Sequence, residues 1–180
     1  MNLPAQRVYG GWLALARFLT GVIWLIHGVP KFLHGDRFLP PGGFFADYLQ
    51  KGIAATSGPY RDFLASVVQP NAAIFAELVR LGEVAAGVSL ALGLFSRLGG
   101  AIGVALPLNY IAARGAAASV SGWGSIDACI MLLSALSLVL PTGRVAGFDA
   151  LFARRRQRRV KVVAEVVPER PLDAPSAPPQ

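Results

Sequence analysis

The sequence predicts an all-α integral membrane protein: a four-helix bundle with short amphipathic helices in the outer loop between spans one and two. Three observations predict it. Charged residues make up only 15% of the 180 and hydrophobic residues 54%, where soluble domains carry about 25% charged. The mean hydropathy is +0.51. Four apolar runs approach the roughly 20 residues that a helix needs to cross a bilayer.

The first run extends from about Gly11 to Phe32. It is too long for a cleaved signal peptide, its C-terminal flank is too polar, and no A-x-A site follows it, so an uncleaved span is expected. Gly28 and Pro30 are expected to close this helix, with Lys31 at the interface. The loop that follows, "HGDRFLPPGGFFADYLQKGIAATSGPYRDFLASVVQP", is too long for a tight turn. Its pieces "FFADYLQ" and "YRDFLASVV" space aromatic and aliphatic residues as helices do, between Gly, Pro and Ser breakers. Two short amphipathic helices on the outer membrane face are expected there.

The second run covers about Asn71 to Leu94, the third Leu98 to Ala113 and the fourth Ser125 to Leu140. The last two are short for perpendicular spans and are expected to extend into neighbouring loop residues. Gly99 and Gly103 form a GxxxG, and Ala85, Ser89 and Gly93 recur every fourth residue; such small side chains let membrane helices approach closely. Pro107 frees a carbonyl one turn earlier and predicts a kink or a polar spot. The bundle is assigned to residues 1–159. The tail, 160–180, ends in "PERPLDAPSAPPQ", which cannot build a core and predicts disorder.

The net charge is +7. Its location argues against a nucleic-acid partner: "RRRQRR" reads as a topology determinant that also touches anionic lipid headgroups. With the N-terminus inside, Arg7, Arg97, Arg144, the six cations of "RRRQRRVK" and Arg170 are cytoplasmic, ten against the five of Lys31, Arg37, Lys51, Arg61 and Arg114. The positive-inside rule therefore predicts a plasma (inner) membrane protein with both termini cytoplasmic. The single cysteine, Cys129, lies in an apolar run and excludes an intrachain disulfide framework or a CxxC relay.

Charges at bilayer depth are costly and require partners or a water-lined cavity. The candidates are Arg17, His27, Lys31, Glu77, Arg80, Glu83, Asn109 and Asp127. At about 1.5 Å per residue, with both spans starting from one outer plane, His27 lies about 7 Å deep and Arg17 about 22 Å. Glu77, Arg80 and Glu83 then lie about 9, 13 and 18 Å deep. Glu77 is thus expected level with His27, and Glu83 near Arg17. Bland readings compete with functional ones. The Glu77, Arg80, Glu83 trio can neutralise itself along its own helix. Glu83 and Arg17 can form a buried interhelical pair, Lys31 can snorkel, and Asp127 can favour a helix start. Asn109 beside Tyr110 can anchor an interface. His27 and His34 are separated by Pro30, and no metal site is expected from them.

"ARFLTGVIWLIHGVPKF", "FFADYLQKG" and "GEVAAGVSLALGLFSRLGG" together resemble the DoxX family of four-span membrane proteins. The matching positions are Arg17, Gly28, Lys31, Glu83, Gly87, Gly93 and Arg97. The ending "LPTGRVAGFDALF" is similar to the DoxD-type branch, the membrane subunit of thiosulfate:quinone oxidoreductase. The resemblance covers about residues 10 to 155. It implies a redox subunit that exchanges electrons with a quinone alongside a partner subunit. A quinone headgroup needs hydrogen-bond donors and a proton path. His27, Lys31, Arg80 and Asn109 are the candidate donors, with Glu77, Glu83 and Asp127 as proton relays. Lys31 and Arg80 could also hold an outer anion such as thiosulfate, on charge alone. No flavin, haem or iron-sulfur motif is present, so the chain is not expected to carry electrons alone. The alternative is a non-enzymatic module that binds membrane lipid or scaffolds a complex. A transporter is weaker, because four spans without a repeat offer no alternating-access machinery unless the protein is a homo-oligomer.

Overall fold

The computed structural model describes residues 3–144 and 147–150. The arginine cluster, Arg170 and the tail at 160–180 lie outside the described residues. Every regular element among those described is helical: α1 (Leu3–Leu33), α2 (Gly35–Phe38), α3 (Phe44–Ala55), α4 (Gly58–Phe63), α5 (Ala72–Leu92), α6 (Ser96–Ala113) and α7 (Ile126–Val139). A π-helical turn, Leu64–Val68, continues α4, and single 3-10 turns cover Val120–Trp123 and Thr142–Arg144.

The four long helices follow the four apolar runs, and the two amphipathic pieces of the outer loop become α3 and α4 with its π turn. Helix α6 starts two residues before the expected boundary, whereas α7 gains nothing from its loops. The expectation that Gly28 and Pro30 close the first helix is corrected, since α1 runs through both to Leu33. Proline lacks only its own N–H. Its carbonyl still accepts, here from the His34 backbone N–H at 2.9 Å. Gly28 is a packing residue instead, because a Cβ there would lie 3.0 Å from the Glu83 Cβ.

Helix α1 packs along α5, α5 along α6, α6 along α7, and α7 returns to α1. At their centre Trp24, Ala86, Leu90 and Ile130 are buried together, flanked by Ile23, Ile102 and Leu106. The Trp24 indole N–H donates to the Ser134 hydroxyl at 3.1 Å. The GxxxG of α6 serves two neighbours, with Gly99 against Ser89 of α5 and Gly103 against Ser134 of α7. A second, smaller core joins the outer loop to the start of α5: Leu49, Leu64 and Val68 pack with Phe45, Ile53, Tyr60, Ala72 and Phe75.

Among the described residues one helix, over Tyr9–Leu33, is long and apolar enough to cross a membrane. Helix α5 carries Glu77, Arg80 and Glu83, and α7 is apolar but only 14 residues long. Large apolar side chains are nevertheless exposed on all four long helices, among them Ile26, Leu81, Leu98 and Val139.

Candidate functional site

The site follows from the register of α1 against α5. Glycines bring the two helices together: Gly21 lies against Gly87 and Ala91, and Gly28 against Glu83 and Val84, while beyond α1 Gly35 of α2 meets the Arg80 guanidinium. At Gly21 a Cβ would approach the Ala91 backbone nitrogen to 2.3 Å, so only glycine fits. The common-plane expectation is off by about two turns, ~12 Å. The first turns of α5 project past α1, because Ala72 and Phe75 pack into the outer-loop core. Glu83 consequently sits at the level of Gly28 and Lys31, not near Arg17.

The expected Glu83–Arg17 pair is replaced by Glu83–Lys31. The Lys31 ammonium donates to both Glu83 carboxylate oxygens at 2.6 Å. Glu83 is 2% exposed, while the Lys31 side chain is 25% exposed. A third helix closes the cluster: the Tyr110 hydroxyl of α6 donates to Glu83 Oε1 at 2.8 Å. The Lys31 ammonium also lies 5.0 Å from the centre of the Phe38 ring of α2, a cation–π distance. Lys31 therefore does not simply snorkel. It bridges a buried carboxylate and an aromatic cover.

One turn along α5, Arg80 donates through Nε to Glu77 at 2.6 Å, forming the expected local pair. Its guanidinium lies 4.4 Å from the Phe32 ring centre. Both candidate anion-binding cations thus already face a carboxylate. The remaining candidates stand apart from Glu83. His27, a turn before Lys31, is exposed, and its side chain forms no hydrogen bond among the described residues. Asn109 accepts from the Tyr60 hydroxyl at 2.7 Å, tying α4 to α6. Burial pushes the Tyr60 phenol up from its ordinary value, so it remains a donor. Asp127, in the first turn of α7, pairs with Arg114.

Arg17 belongs to a separate cluster at the other end of the bundle. Helix α5 ends on Gly93 in the left-handed conformation, φ +64°, and the Leu94 N–H reaches back to the Ser89 carbonyl at 3.0 Å. That leaves the Leu90 carbonyl to Arg17 Nε, at 2.9 Å, while Arg17 Nη1 holds the Thr142 carbonyl at 2.9 Å. Asp149 caps the start of α6, accepting from the backbone N–H groups of Phe95 (2.8 Å) and Ser96 (3.0 Å) and from the Ser96 hydroxyl. Burial alone would raise its carboxyl, but these hydrogen bonds and the charge of Arg17 outweigh it and hold Asp149 below the ordinary carboxylate range.

Tyr110 and Asp149 are absent from the sequence-derived site. Tyr110 continues the inward face of α6 marked by Gly99, Gly103 and Pro107, which are buried. That spacing was the available signal.

The chain matches the family model DoxD, described as "TQO small subunit DoxD", over residues 12–168. No curated protein and no solved structure matches it.

Proposed function

The chain belongs to the DoxD family, and from that premise we propose that it is the membrane-embedded, quinone-linked small subunit of a thiosulfate-oxidising enzyme. In this reading α1, α5, α6 and α7 each cross the bilayer, and both termini face the cytoplasm. The exposed apolar side chains of those helices then face lipid, the environment in which large apolar surface costs nothing. The outer loop lies over the extracytoplasmic ends of the helices.

The observation that carries the proposal is the cluster of Lys31, Glu83 and Tyr110. A buried carboxylate inside an apolar bundle is costly unless it is paired, and here groups from two other helices converge on it. The cluster suits a quinone headgroup: the Lys31 ammonium has a third N–H beyond the two given to Glu83, the carboxylate accepts, and the Phe38 ring lies beside them, while the Tyr110 O–H is committed to Glu83. A bound quinone would supply two-electron, two-proton acceptor chemistry. The chain's own part is to hold the headgroup at Glu83, exclude water around it, and move protons at the Glu83 carboxylate. A partner subunit supplies the redox centre that oxidises thiosulfate, and the family's description as a small subunit supports such a partner.

The test uses membranes from cells that produce the chain together with its partner. Thiosulfate should drive reduction of an added short-chain quinone, and Glu83→Gln, present at equal level, should abolish it. If quinone reduction does not depend on thiosulfate, the redox reading is overturned and the lipid-binding module takes its place.

A further inference from the structure

The Lys31–Glu83–Tyr110 cluster is closed: Glu83 is 2% exposed. Three of the elements around it, α1, α5 and α6, are held in the packed bundle. Helix α2 is different. None of its four residues is buried, and no side chain caps its start. It lies between His34, which leaves helical geometry at ψ +51°, and Gly42, which takes a left-handed φ of +87° that favours glycine. At its start Gly35 sits beside the Arg80 guanidinium. At its end the Phe38 ring meets the Phe45 ring edge-on at 6.0 Å and stands 5.0 Å from the Lys31 ammonium. Gly43 then closes on this segment so tightly that a Cβ there would lie 2.6 Å from the Phe38 carbonyl oxygen.

Two N–H groups of Lys31 go to Glu83, and the ammonium has the Phe38 ring as its other neighbour. An aromatic face is a weak partner for an ammonium, worth about two- to fivefold at an exposed site. A carbonyl oxygen that accepts a charge-assisted hydrogen bond is a stronger one. We propose that Phe38 is a displaceable cover: α2 swings about His34 and Gly42, the ring leaves Lys31, and a carbonyl-bearing headgroup takes its place on the ammonium. This rests on the quinone reading and adds to it how a closed site admits its ligand. The exchange takes place at Lys31, the partly exposed member of the cluster, so Glu83 and Tyr110 keep their hydrogen bond. Phe38 shields the ammonium from water at rest and competes with the ligand when it arrives.

The experiment uses the detergent-solubilised full chain. Without ligand, the rate at which a small amine-reactive reagent labels Lys31 is measured by peptide mass spectrometry against that of Lys51, which is exposed. Phe38→Ala removes the ring, and Gly43→Ala pushes the Phe38 main chain from its seat; each should raise the Lys31 to Lys51 ratio severalfold. Phe38→Tyr keeps a ring and should leave the ratio unchanged. With a short-chain benzoquinone, Phe38→Ala should bind roughly two- to fivefold more tightly than the wild type, the value of the lost competitor. A residue that only supported the fold would weaken binding when removed. A fluorine label on the Phe38 ring of the otherwise wild-type chain needs no truncated variant to fold: added quinone should expose it to a water-soluble paramagnetic reagent. An unchanged Lys31 ratio in both Phe38→Ala and Gly43→Ala, equal or weaker quinone binding by Phe38→Ala, or a label that stays shielded with quinone bound overturns the proposal and leaves the quinone reading standing. Quinone binding by neither the wild type nor Phe38→Ala overturns both.

Discussion

The two ends of the α1–α5 interface solve the same problem in different ways. Each places a cation of α1 beside α5, Arg17 buried and Lys31 partly exposed. At one end, Arg17 donates to the main-chain carbonyls of Leu90 and Thr142, with Asp149 contributing through its charge. Those acceptors cannot leave, and Arg17 is 4% exposed. At the other end, Lys31 meets a side chain, Glu83, which also accepts from the Tyr110 phenol. The first arrangement is a lock on the fold. The second is built from side chains, which can exchange partners. A buried charge in an apolar helix is thus not by itself a functional site; what distinguishes the two ends is whether the partners are main-chain or side-chain groups.

The comparison can be broken by mutation. Arg17→Met orphans two buried carbonyls, at about 1–3 kcal/mol each, and should lower thermal stability in detergent more than any change at the Lys31–Glu83 cluster. Glu83→Gln should cost less than about 1 kcal/mol, because Lys31 is partly exposed and can turn to water. Equal losses for the two variants would erase the distinction between lock and site.

A smaller effect is expected at Asp149. Removing a carboxylate cap costs about 1 kcal/mol, so Asp149→Ala should lower the melting temperature by a few degrees. Because its folded-state pKa lies below the ordinary value, the stabilisation is present above the ordinary carboxylate range. It is lost as pH falls through the folded value, below about pH 4. The melting temperature of the wild type should therefore fall in that window more steeply than that of Asp149→Ala.

The smallest effect is at the turn between α5 and α6. Phe95 has φ +49°, a conformation unfavourable for a bulky residue, and its side chain is exposed. Phe95→Gly should be neutral or stabilise by up to about 1 kcal/mol. A clear destabilisation would mean that the ring is held by contacts beyond backbone geometry.

The helices were legible because an apolar run records its own length, and Asn71–Leu94 and Ser125–Leu140 end within two residues of α5 and α7. Register was not legible. Nothing in "ARFLTGVIWLIHGVPKF" states how far α5 projects beyond α1, because that depends on Phe75 packing against Leu64 and Val68 of a separate segment. An error of about two turns was enough to assign Glu83 to Arg17 in place of Lys31. Lys31 and Glu83 were recognised as candidates from their polarity in apolar runs. Tyr110 was overlooked because tyrosine is unremarked near a helix end, and only its position on the glycine-marked face of α6 separates it from an interfacial anchor. Asp149 lies outside the apolar runs altogether, and its role as a cap appears only once the chain folds back onto Ser96.

Native mass spectrometry of the gently solubilised full chain tests the central claim most directly. The wild type should retain a quinone-class molecule, and Glu83→Gln, folded with nearly the same melting temperature, should lose it. A wild type that carries no quinone, or a Glu83→Gln variant that carries as much, would contradict the assignment of the Lys31–Glu83–Tyr110 cluster as the site.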